Sequence, residues 1–273
     1  MDFGKAVELL PHDRLKILGP SLAEAYQTAD PFPHVVIDDF LDRDVFDALR
    51  GEFPGEDADI WYKFRSGREN LKLQSQDLRG LPWGFKLLMS EVNGPDFVRF
   101  LQTMTGIDNL VPDPHLYGGG LHQTLPGGHL GMHIDYNFHN DWKLDRRLNA
   151  ILYFNDDWDE EWGGHLELWD QKVERCVQKI APVPNRLVVF STSEISWHGH
   201  PAPLATPPGV TRRSVALYYY SNGRPENERG EVHNTVFKER PGEQFKPTAR
   251  DILRDFVPPI LTKLVRKGRS QPE

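Results

Sequence analysis

Hydrophobic positions change their period along this chain. Through residues 1–30 they follow a broken helical period, with Leu9, Leu15, Ile17 and Leu18, then Leu22, Ala25 and Tyr26, punctuated by Pro11 and Pro20. Pro31-Phe32-Pro33 closes that stretch, and His34-Val35-Val36-Ile37 reads as a short strand. A helix carrying Val45, Phe46, Leu49 and Phe53 starts at Asp42 or Asp44. Residues 54–80 are polar and read as irregular. The pattern from Leu81 to Met104 is helical again, interrupted at Asn93-Gly94-Pro95. From residue 112 onward short β-like runs alternate with turn residues: Leu121–Thr124, Gly131–Ile134, Arg147–Phe154, His165–Trp169, Val173–Ile180, Arg186–Ser191, Ser196–His198 and Ser214–Tyr220. That spacing predicts a sandwich or barrel of the jelly-roll kind. Arg250 to Lys267 returns to a helical period. The pattern as a whole is α+β, with helices packed around a β core.

Composition narrows the class. The chain has 273 residues, 38% hydrophobic and 26% charged, which suits one large globular domain able to bury a real core. A formal net charge of -8 argues against a nucleic-acid or anionic-membrane partner. The basic residues Lys263, Arg266, Lys267 and Arg269 read as a solvated helix end. Cys176 stands alone, so no intrachain disulfide forms. That fits a reducing cytoplasm, and its setting in Glu174-Arg175-Cys176-Val177 reads as a packed thiol in a strand. The first residues, MDFGKAVELLPHDRLK, have no signal-peptide pattern, and no run of about 20 apolar residues suggests a membrane span.

The chemistry lies in the β-rich part. His133 and Asp135, two residues apart on an extended strand, share one face about 7 Å apart along the backbone. Two imidazoles and a carboxylate can cover one face of an octahedral metal and leave positions open for a co-substrate and dioxygen, as in non-haem Fe(II) oxygenases. The second imidazole must come from a distant strand. His198 in Trp197-His198-Gly199-His200-Pro201 is the best candidate, and His200, on the same face, competes with it. His122, His129, His139 and His165 lie in the same region and read as loop or supporting groups. On the run from Arg147 to Phe154 the period of two puts Asn149, Ile151 and Tyr153 on one face, where the Tyr153 hydroxyl can meet a carboxylate. Arg212 shares its face with Ser214, Ala216 and Tyr218, whereas Arg213 shares its face with Val215, Leu217 and Tyr219. The first face has room for a dicarboxylate and the second is a packing face. Arg212 is therefore the expected bidentate clamp, with Ser214 beside it.

Taken in order, these segments resemble a known family. Tyr153-Phe154-Asn155-Asp156-Asp157-Trp158-Asp159, Gly163-Gly164-His165-Leu166-Glu167-Leu168, Arg186-Leu187-Val188-Val189-Phe190, His198 and the run from Arg212 to Tyr220 are similar to the prolyl-hydroxylase-like branch of the 2-oxoglutarate/Fe(II)-dependent dioxygenases. The similarity spans residues 115–222, and Asp30 to Phe53 looks like the lead-in of bacterial members. The resemblance implies a double-stranded β-helix core (111–222) between a helical N-terminal part (1–110) and a C-terminal extension (223–273), in a single domain flanked by N- and C-terminal helices. It implies His133, Asp135 and His198 as iron ligands. It implies Arg212 or Arg213, with Tyr153, on the far carboxylate of 2-oxoglutarate, in company with Ser214 and Asn149. The reaction implied consumes dioxygen, converts 2-oxoglutarate to succinate and carbon dioxide, and hydroxylates a substrate C–H bond, with ascorbate as an accessory reductant. Asp135 fills the carboxylate position, so hydroxylation is expected over halogenation.

Two departures bear on the substrate. A Pro-rich insert, Pro201 to Pro208, lengthens the path from His198 to Arg212, and the run near Gln123 lacks a tyrosine that animal prolyl hydroxylases often carry. A prolyl residue in a protein, an amino acid, a sugar and a natural-product intermediate all stay open as substrates, and the oligomeric state is unread. Two rivals come from other classes. A cupin-type metalloenzyme would bind metal without a keto acid. A jelly-roll glycan-binding module would use Trp142, Trp158, Trp162 and Trp169 as stacking surfaces.

Overall fold

The computed structural model describes residues 8–75 and 77–244. Helix α1 (His12–Gln27) begins after Pro11 and continues through Pro20, which therefore does not break it as the sequence suggests. Strand β1 (His34–Ile37) and helix α2 (Arg43–Gly51) follow as expected. Helix α3 (Trp83–Val92) stops at Asn93, and α4 (Pro95–Thr105) restarts with proline in its first turn, where a missing N–H costs nothing, and ends on a left-handed Gly106. The polar segment expected to be irregular instead holds a hairpin, β2 (Trp61–Arg65) and β3 (Glu69–Ser75), so the N-terminal part is not only helical.

The remaining strands are β4 (Val111–Pro112), β5 (Gly120–Ile134), β6 (Phe138–His139), β7 (Leu144–Tyr153), β8 (Leu166–Trp169), β9 (Cys176–Ile180), β10 (Leu187–Ser191), β11 (His198–His200), β12 (Arg212–Ser221) and β13 (Val236–Phe237). Two expected runs, Leu121–Thr124 and Gly131–Ile134, merge into the single long β5. The antiparallel sheet runs β1-β10-β7-β12-β5-β11-β8-β9, and β3 and β13 also pair with β5. This curled sheet is the expected jelly-roll core. The expected C-terminal helix and its basic residues lie outside the described residues.

The alternation of β7 and β12 makes the site. Leu148, Ala150 and Leu152 of β7, and Val215, Leu217 and Tyr219 of β12, face the helices and join Phe85, Phe97, Leu101 and Met104 in one buried core. The opposite face of the same strands, with Asn149 and Ile151, Arg212, Ser214, Ala216 and Tyr218, lines a cavity of about 240 Å³. Core packing on one face thus fixes the polar groups on the other.

Candidate active site

His133 lies near the end of β5 and Asp135 just past it, while His198 opens β11 and is paired in register with His133. Gly199 permits this approach: a Cβ there would stand 2.8 Å from the Gly131 carbonyl oxygen and 2.9 Å from that of Leu130. One ligating atom from each of His133, Asp135 and His198 falls within 4.8 Å of the others. His133 Nε2 is 3.7 Å from Asp135 Oδ1, and His198 Nε2 is 3.5 Å from Asp135 Oδ2. Each imidazole spends Nδ1 on a backbone carbonyl, that of Gly131 (2.9 Å) for His133 and that of Ser196 (2.8 Å) for His198. A carbonyl can only accept, so each Nδ1 carries the proton and each Nε2 keeps a lone pair. Two nitrogen lone pairs and a carboxylate facing one another are electron-rich groups that repel unless a cation joins them. This donor set fits a divalent metal of the Fe(II) class.

Burial would raise the Asp135 carboxyl, but the Arg146 guanidinium, the two imidazoles and the Asn149 amide more than offset it and hold the group well below the usual carboxylate range. Burial pushes His198 down to about 3, aided by His133, and burial also lowers His133. The ligating forms are therefore present at neutral pH.

Arg146 is a site residue that sequence reasoning missed. It is fully buried, and its Nη2 lies 3.0 Å from Asp135 Oδ2. Its Nε and Nη2 donate to Asn149 Oδ1 at 3.2 and 2.6 Å, and Asn149 Nδ2 donates to Asp135 Oδ2 at 2.7 Å. The guanidinium lies between the rings of Tyr218 (3.5 Å) and Tyr136 (4.5 Å). Asn149, expected at the co-substrate end, thus sits at the metal end with its amide committed to Asp135. A bulge explains the oversight. Tyr219 faces Leu148 and Tyr220 faces Arg146, so Arg147 is an extra residue in β7. The bulge brings Arg146 onto the cavity wall and sends Arg147 outward to Ser221 and Glu228.

At the far end, buried Arg212 donates from Nε to the Gly164 carbonyl at 2.8 Å and from Nη2 to the Tyr153 hydroxyl at 2.9 Å. Tyr153 is wholly buried in a small cluster with Phe190, Leu166 and Leu168, so it meets the cavity through the arginine it supports. Ser214 is on the wall. Arg213 points away, donating to Thr211 and lying over the Phe53 ring. His200 lines the cavity too but is not in the His133, Asp135 and His198 group. His129 and His165 are engaged elsewhere, near the Gly67 carbonyl and Glu160, and His139 stacks on Trp142. The four tryptophans do not form an exposed platform. Trp169 is buried with Nε1 on Glu167, Trp158 and Trp162 pack edge to face, and Trp142 is half-buried. Burial also pushes the Cys176 thiol up to about 11, so it is a poor nucleophile.

Comparisons with known proteins agree with this geometry. The sequence model of the 2OG-Fe(II) oxygenase superfamily matches residues 119–241. The mouse prolyl 3-hydroxylase OGFOD1 is 27% identical over 262 residues, which cover 89% of this chain but 42% of that protein, so the chain spans less than half the length of this relative. A Trichoplax adhaerens prolyl hydroxylase solved with a hypoxia inducible factor peptide superposes with a TM-score of 0.56 at 19% identity, covering 77% of this chain and 91% of the other. A Pseudomonas putida prolyl-4-hydroxylase gives 0.51 at 20% identity, covering 75% and 100%. HygX from Streptomyces hygroscopicus, solved with nickel, 2-oxoglutarate and hygromycin B, gives 0.51 at 13% identity, covering 78% and 95%. At these identities the structures establish the shared fold. No helix among the described residues is long and apolar enough to cross a membrane.

Proposed function

We propose that this chain, whose residues 119–241 match the sequence model of the 2OG-Fe(II) oxygenase superfamily, hydroxylates a prolyl residue of a protein or peptide while converting 2-oxoglutarate to succinate and carbon dioxide. The observation that carries the reaction class is the meeting, in one cavity, of a His-Asp-His donor set and a buried arginine whose own partners are neutral.

In this reading His133, Asp135 and His198 hold Fe(II) through two Nε2 atoms and a carboxylate. The bound metal supplies the activation of dioxygen that oxidises both the keto acid and the substrate C–H bond. The chain's other residues orient and exclude. Asn149 and Arg146 fix the Asp135 carboxylate, and the Gly131 and Ser196 carbonyls fix the imidazole tautomers. Arg212, braced by Tyr153 and Gly164 and flanked by Ser214, takes the distal carboxylate of 2-oxoglutarate. The apolar wall of Ile151, Leu166 and Ala216 keeps water from that path. Ascorbate serves as an accessory reductant.

The prolyl reading rests on the similarity to OGFOD1, which runs through 89% of this chain. The fold alone does not choose a substrate, because HygX and the P. putida enzyme superpose equally well at 0.51. A lone cysteine supports a reducing compartment, the cytoplasm. The test is anaerobic addition of Fe(II) and 2-oxoglutarate, followed by aerobic incubation with proline-containing peptides. The expected results are a visible metal-to-ligand charge-transfer band, absent in His133→Ala, and gain of one oxygen atom on a prolyl residue with matching succinate. A well-folded, metal-loaded protein with no band would overturn the reaction class. A band with no prolyl oxidation across a peptide library would overturn the substrate class alone.

A further inference from the structure

Between the triad and Arg212 the cavity carries polar groups that neither a metal nor Arg212 accounts for. Lys72 and Arg212 stand on opposite sides of one residue: in the cross-strand register both face Thr124, from β3 and β12 respectively. Lys72 is 8% exposed, a rare setting for an ammonium, and it lines the cavity. Its Nζ donates to Glu69 at 3.1 Å and lies 4.8 Å from the Phe64 ring centroid. Glu69 engages one of the three donors an ammonium carries. His200 lines the same cavity at 5% exposure, and its Nδ1 has no hydrogen-bond partner among the described residues. Buried polar atoms ordinarily find partners, so this nitrogen leaves a hydrogen-bonding position open to a ligand or a water. Lys72 comes from the β2–β3 hairpin, outside the matched residues 119–241.

We infer that Lys72 and His200 are further binding residues for the anionic co-substrate, with Lys72 reaching it from the other side of Thr124 to Arg212. The inference rests on the reading that this cavity takes 2-oxoglutarate. It makes Glu69 an internal competitor, a carboxylate that occupies Lys72 until the keto acid arrives. It also makes the N-terminal hairpin part of the co-substrate pocket, so that strands from two parts of the chain grip one small dianion.

The experiment is calorimetric titration of 2-oxoglutarate into Ni(II)-loaded protein, where binding is read without turnover. Ni(II) affinity and thermal unfolding are recorded for each variant. Lys72→Met and His200→Val should each weaken 2-oxoglutarate binding about tenfold, the worth of one charge-assisted hydrogen bond, at unchanged nickel affinity. Glu69→Gln should tighten it, because the competing charge is gone. If Lys72→Met does not fold, Glu69→Gln and His200→Val decide the matter. Wild-type affinity in His200→Val, or unchanged or weaker binding in Glu69→Gln, overturns the corresponding residue's role while Arg212→Ala still weakens binding roughly a hundredfold. Failure of the wild-type Ni(II) protein to bind 2-oxoglutarate would instead overturn the underlying reading, and the inference with it.

Discussion

The two ends of the cavity draw on the same sheet, yet they close their hydrogen bonds in opposite ways. At the metal end, Arg146 and the Asn149 amide are spent on Asp135, and both imidazole Nδ1 atoms are spent on carbonyls. What faces inward is two lone pairs and a carboxylate, all acceptors. At the other end Arg212, Lys72 and His200 face the cavity with donors or an orphan nitrogen to spare. One end is built to receive a cation and the other an anion. Under the proposed function, 2-oxoglutarate would lie with its metal-chelating group at the first end and its free carboxylate at the second.

The comparison can be broken in order of expected effect. His133→Ala or Asp135→Ala should remove metal binding and reduce succinate formation to background, read by nickel calorimetry and product analysis; near-native values would dissolve the metal end altogether. Arg146→Met should leave Asp135 buried and uncompensated, costing roughly 3–5 kcal/mol in denaturant unfolding of the metal-free protein. Added divalent metal should recover part of that loss by neutralising the same carboxylate. A deficit indifferent to metal would show that Arg146 and the metal do not share Asp135. Arg212→Ala should weaken 2-oxoglutarate binding roughly a hundredfold with little change in metal affinity, whereas Arg213→Ala should leave it near wild type. Tyr153→Phe removes only a neutral brace and should cost about fivefold in the same titration. The smallest signal concerns pH. With His198 lowered to about 3 and both His133 and Asp135 also lowered, protons compete with metal only well below neutrality. Metal affinity should stay nearly flat from pH 8 to 6.5, with little proton release in calorimetry across buffers of different ionisation heat. A steep fall over that range would mean that the imidazoles are charged in the metal-free protein.

Much of this was legible in the sequence, and the failures share a cause. Period two correctly assigned Arg212 and Arg213 to opposite faces, because β12 is regular there and its packing face is apolar. It could place His198 and His200 on one wall but not rank them, since the ranking depends on His198 lying opposite His133 and on the register shift between the two histidines. It failed at Arg146 because counting from Arg147 assumes a strand without bulges. It failed at the β2–β3 hairpin for a different physical reason. The inner face there carries Phe64, Glu69, Lys72 and Gln74 toward the cavity, so the apolar alternation is confined to Leu71 and Leu73, too short to stand out from the polar residues around it. The aromatic run Trp61-Tyr62 and the Ser66-Gly67 turn were the available signal. Strands that line sites hide from hydrophobic pattern for the same reason that they are useful.

The long strand β5 has a consequence for the spacing of the two ends of the cavity. It carries Thr124, level with Arg212 and Lys72, and His133, level with His198, within one continuous element. Nine residues separate those two levels, which in fully extended strand would be about 30 Å, far more than a five-carbon diacid spans. The ladder to β3 skips from His129 to Thr124, leaving Leu125 to Gly128 out of step, with Gly127 in a left-handed conformation. That stretch takes up chain length: residues two apart on β3, Asn70 and Lys72, pair with residues five apart on β5, His129 and Thr124, so the two ends of the cavity lie closer together than the residue count implies.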